Sequence, residues 1–124
     1  MYGFSMKNSI VGQVPYPIWS TGGTTNCAYP NVPLLSLNAC FPSGYNYDHN
    51  AMIAVNQTNY PTSKWPVGNY FPASASAVQF VNFNNGNGGD YHLLSTSPYK
   101  GAATDGKDLG ADINAILSMT AGVY

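Results

Sequence analysis

The acid–base side chains of this chain are few, and they gather. Asp90, Asp105, Asp108 and Asp112, with His92, all fall in "GGDYHLLSTSPYKGAATDGKDLGADINAIL", residues 88 to 117, and Asp48 with His49 makes a second group. On a strand, Asp90 and His92 share one face, so the carboxylate can orient the imidazole as an acid–base pair. The bland alternative is a surface hydrogen bond. Strand alternation sends Asp48 to the side of Asn50 and His49 to the side of Tyr47. A carboxylate pair for glycoside hydrolysis would have to join distant segments, Asp48 with Asp90. No G-x-S-x-G elbow accompanies either histidine, which weakens a serine-hydrolase reading. The candidate catalytic residues are therefore Asp48, His49, Asp90 and His92.

Asp105, Asp108 and Asp112 offer hard oxygens of the kind calcium takes, but their spacing is not that of an EF-hand and no glutamate closes the set. Local capping is the competing explanation, since Asp105 precedes Gly106 and aspartates bond their own backbone in such turns. Calcium is the one cofactor these residues suggest. Aromatic residues form a further candidate site: Tyr60, Trp65 and Tyr70, with Phe71, cluster in the proline-rich "NYPTSKWPVGNYFP". Rings on such a loop can cover the C–H patches of a sugar, or can fold back over the body of the protein.

The totals narrow the partners. Charged residues make up 7% of the 124, net charge is -1, and there is no arginine or glutamate. Without a basic patch the chain lacks the clustered cations that grip phosphates, which argues strongly against nucleic acid as a partner. No apolar run reaches membrane-spanning length. A surface of Asn, Ser, Thr and Tyr suits a neutral polyhydroxylated partner, because amides and hydroxyls both donate and accept. Cys27 and Cys40 stand 13 positions apart, too few for a zinc site, and a disulfide in an extracellular or cell-surface protein is favoured over two free thiols. "MYGFSMKNSIVG" lacks the pattern of a signal peptide, so an export signal is expected to lie outside this chain.

Positioning those residues is the work of the backbone. Proline or glycine interrupts almost every window long enough for three helical turns. "FSMKNSIV", "YDHNAMIAV", "AVQFVNF" (77 to 83), "DYHLL" (90 to 94) and "DLGADI" (108 to 113) read as short strands, and "NAILSMTAGVY" as one short helical turn. Turn-rich stretches such as "TGGTTNCAYPNVP" and "NNGNGG" separate them. Length makes this one domain, residues 1 to 124. Uneven loops and scarce tight turns favour an all-β chain built as coils of a parallel β-helix over a sandwich. Asn8 and Asn50, aligned in a weak repeat, are expected to stack as an amide ladder. An unpaired first coil would expose an edge and favour self-association.

Residues 88 to 114 also resemble the C-terminal end of bacterial right-handed parallel β-helix proteins of the pectate-lyase-like superfamily. There a strand similar to "DYHL" is followed by "SP", a loop and a "DGKDLGAD"-like close. Weaker similarity runs through "YDHNAMI", "YFP" and "VQFVNF". The resemblance implies that residues 90 to 94 form a late core strand, that 105 to 113 lay down the last one, and that the protein acts on or binds extracellular polysaccharide. It does not carry lyase chemistry to this chain, because the family's proton-abstracting arginine has no counterpart. The expectation is a carbohydrate-associated module; a small hydrolase of glycosidic or ester bonds and a self-associating stalk are the alternatives.

Overall fold

The structure is a computed structural model and describes residues 3–12, 17–18, 26–28 and 31–123. Part of "TGGTTNCAYPNVP" lies outside the described residues. The order of elements is β1 (Phe4–Lys7), β2 (Ile10–Gly12), α1 (Pro33–Cys40), β3 (Tyr45–Asp48), β4 (Ala51–Ile53), α2 (Ala75–Val78), β5 (Phe80–Asn82), β6 (Asp90–Leu93) and α3 (Ile113–Thr120).

This is not the parallel β-helix expected from the sequence. The described strands form three separate two-stranded sheets, β1 with β3, β2 with β4 and β5 with β6, among helices. The first two pairs are parallel, with Phe4 opposite Tyr45 and Ile10 opposite Ala51, whereas β5 and β6 run antiparallel. The antiparallel pair follows from "NNGNGG". Asn84 and Asn85 take positive φ, as do Gly86 and Gly88, and this turns the chain back on itself locally. Gly89 is obligatory there, because a Cβ would stand 2.1 Å from the Asn82 carbonyl oxygen.

Helices also replace expected strands and loops. In α1 the buried residues are Pro33, Ser36, Leu37 and Cys40, a helical repeat obscured by the two residues that are not typical core formers. Pro33 suits the first turn, where its missing N–H costs nothing. The first part of "AVQFVNF" belongs to α2, which Ser74 caps by accepting from the Ala77 N–H. "DLGADI" is no strand: residues 105–112 run through turns and Leu109 alone drops into the core.

The core has two clusters that meet at β4. Ala51 packs with Val78, Leu93, Tyr99 and Leu109, and its neighbour Met52 packs with Leu37, Tyr47 and Trp65. Strand alternation explains the division, since consecutive side chains leave opposite faces. Between the parallel pairs lies Asn50, fully buried. It is satisfied on every side: Oδ1 accepts from the Ser9 N–H (3.2 Å), and Nδ2 donates to the Met6 carbonyl (2.9 Å) and to Asn69 Oδ1 (3.1 Å). Asn69 in turn donates to the carbonyls of Tyr47 and Pro66. The amide neighbour of Asn50 is thus Asn69 and not Asn8, because the register sets Lys7 against Asp48 and Ile10 against Ala51.

Cys27 and Cys40 form a disulfide that ties α1 to the preceding segment. The bond is consistent with an oxidising, extracellular environment. No helix among the described residues is long and apolar enough to cross a membrane.

Candidate functional site

β6 carries Asp90 and His92 on one face, and the two meet. Asp90 Oδ1 accepts from His92 Nδ1 at 2.5 Å and from the His92 backbone N–H at 3.1 Å. The other ring nitrogen, Nε2, stands 3.0 Å from Asn114 Oδ1 in the first turn of α3. Asp112 holds that turn in place by accepting from the Ala115 N–H at 2.9 Å. The hydrogen bond from His92 holds Asp90 below the ordinary carboxylate value. The bond to Asp90, then that to Asn114, raises His92, because both stabilise the imidazolium.

His92 faces an open cleft of about 470 Å³ between β6 and residues 103–114, a volume typical of small-ligand sites. Asn8, from the far end of the chain, shapes its floor. Its backbone has a φ of 58°, its carbonyl accepts from the Gly110 N–H (2.8 Å), and its side-chain amide bonds Thr104 through both ends. Tyr91, Asp105, Lys107, Asp108, Asp112 and Asn114 complete the polar lining.

The three aspartates proposed for calcium line this cleft, yet each has a local occupation. Asp105 accepts from the Lys107 N–H (3.1 Å), and Asp108 accepts from Lys100 Nζ (2.8 Å) and the Gly101 N–H (3.0 Å). Lys100 holds Asp108 below its ordinary pKa. Asp112 is the α3 cap. Among the described residues, no group of three or more His, Cys, Asp or Glu is placed to hold a metal ion.

The other sequence candidates lie elsewhere. Asp48 and His49 form their own pair at 2.9 Å, and His49 meets the Tyr70 ring edge-on at 6.3 Å. The alternation expected to separate Asp48 from His49 fails because His49 has a φ of 51° and breaks the strand between β3 and β4. Each of the two carboxylates considered for glycoside hydrolysis is therefore engaged by its own adjacent histidine. Trp65 does not form a surface platform. It is 5% exposed, stacked against Tyr47, tilted against Phe71, and its Nε1 donates to the Tyr60 carbonyl at 3.2 Å. Tyr60 accepts from Asn31 Nδ2 through its hydroxyl, and Tyr70 packs edge-on against Tyr99. Burial of a proline-flanked loop tryptophan is the ordinary outcome when its ring can bridge two core residues and its N–H finds a carbonyl.

Reading the sequence missed Asn8, Tyr91 and Asn114. Asn114 carried a weak signal, two residues after a helix-capping aspartate. Asn8 carried none, since only the fold brings it to residues 104–110. No protein-family model, curated protein or solved structure matches the chain, and the parallel β-helix that residues 88–114 were expected to close is not the fold the described strands form.

Proposed function

We propose that this protein is an exported carbohydrate-binding module, and that the cleft beside β6, rather than the Trp65 loop, is its binding site. The observation that carries the reading is convergence. Asn8, His92 and Asn114, remote in sequence, line one open cleft beside the Tyr91 ring. Amide and imidazole groups supply both donors and acceptors, and the ring supplies an apolar face, which together match the two surfaces of a neutral sugar. The Cys27–Cys40 disulfide supports export. Titration of the labelled protein with neutral oligosaccharides, followed by NMR, tests the site. Signals of Tyr91, His92 and Asn114 should move, and His92→Ala should weaken the effect; a panel that moves none of them overturns the proposal.

Hydrolysis is the second reading, favoured by the Asp90–His92 pair. No serine, threonine or cysteine is among the cleft-lining residues, which leaves water or a cleft aspartate as the nucleophile. The raised pKa of His92 suits it to give a proton to a leaving group more than to take one from water. Product release abolished by His92→Ala or Asp90→Asn would establish this activity, and a wild-type protein that releases no product from glycosides or esters would retire it.

A further inference from the structure

A second depression adjoins the polar cleft. It is a groove of about 430 Å³ whose lining carries no charged side chain and includes Ile10, Ile53, Phe80 and Phe83. Cleft and groove share one wall, made of Tyr91, Leu109, Gly110, Ala111 and Ile113. Tyr91 stands at the junction. Its ring meets Phe80 edge-on at 5.9 Å, and Phe80 stacks on Phe83 at 5.7 Å, so aromatic surface runs from the cleft into the groove. Phe83 is 38% exposed although it belongs to this apolar strip.

Building on the proposed sugar site, we infer that the ligand is an amphiphile: a glycoside or sugar ester whose polyhydroxylated head sits at His92 and Asn114 and whose alkyl or aryl arm lies along Tyr91, Phe80 and Phe83. Two features select this occupant. Charged, amide and imidazole side chains are confined to the cleft, with Tyr91 the one polar side chain in the groove. The shared wall lets a ligand anchored at His92 extend over Tyr91 and Ile113 without leaving the surface. A sugar without such an arm leaves the groove wet, and an apolar molecule without a head leaves the donors and acceptors of the cleft unused.

Matched methyl and n-octyl β-glycosides of glucose, galactose and mannose test the inference by calorimetry, with the octyl compounds kept below micelle formation. An n-octyl ether of tri(ethylene glycol) supplies the arm without the head. Each buried methylene should tighten binding about fourfold, so burying three or four makes an octyl glycoside bind roughly a hundredfold tighter than its methyl partner. Phe83→Ser, at an exposed position that spares the core, should remove much of that gain and leave methyl glycoside binding unchanged. Equal affinity for methyl and octyl partners overturns the inference while the sugar site stands. An octyl gain that survives Phe83→Ser, or octyl binding indifferent to the head, overturns it as well. If no glycoside binds, the inference falls together with the carbohydrate reading.

Discussion

Replacing Asn50 with alanine removes one buried side chain and unties three segments. Its amide links residues 6 and 9 to Asn69, which itself holds the carbonyls of Tyr47 and Pro66. Truncation leaves the Ser9 N–H and the Met6 carbonyl without their side-chain partner. Asn69 Oδ1 keeps the Asn50 backbone N–H, at 3.1 Å. Stranding a buried polar group costs about 1–3 kcal/mol, and Met6 and Ser9 are only partly buried, so each stands near the lower end. With a small term for the space vacated, the expected loss is about 2–4 kcal/mol. In urea, with a slope of about 1.5–2 kcal/mol/M, the midpoint should fall by about 1–2.7 M. Asn50→Asp should cost at least as much, because it turns an acceptor toward the Met6 carbonyl and Asn69 Oδ1. Asn46→Ala, exposed on β3, is the control and should stay within about 0.5 kcal/mol. A loss under about 1 kcal/mol for Asn50→Ala would refute the argument that this amide joins the parallel pairs.

Three further outcomes follow from the geometry. The Asp90–His92 pair should stabilise the fold most between about pH 4 and 6.5: the Asp90 contribution is present above 3.8 and lost as pH falls through its lowered value, and the His92 contribution is complete below 6.5 and lost as pH rises through its raised value. An NMR titration of the His92 ring should show its midpoint falling in Asp90→Asn. Trp65→Ala should destabilise by about 3–5 kcal/mol, measured by urea unfolding, because it opens a cavity between Tyr47 and Phe71; an unchanged midpoint would place the ring outside the core. Gly110→Ala should cost about 1–3 kcal/mol, since the position has a φ of +89° and a Cβ there would stand 3.2 Å from Ile10 Cδ1. Its NMR spectrum should show the largest shifts at Asn8 and residues 104–110, and a spectrum changed elsewhere would contradict the role of Gly110 in seating that segment.

Some of this was legible from residue types alone. Asp90 and His92 had to share a face once "DYHL" was a strand, because alternation in a strand is local geometry. The Asp105-Gly106 turn and the disulfide between Cys27 and Cys40 were legible for the same reason: each needs only neighbours or one closed loop. Whether 80–82 paired in parallel with a distant segment or folded back on 90–93 was a different kind of question. Strand pairing depends on which partner arrives, and the left-handed residues in "NNGNGG" made the nearest partner win. The same limit hid the helix at 33–40, where a proline and a serine occupy half of the buried face. Tertiary structure alone decided that Trp65 turns inward, that Asn50 meets Asn69, and that Asn8 closes the cleft at residues 104–110, because those contacts join segments whose residues carry no mark of one another.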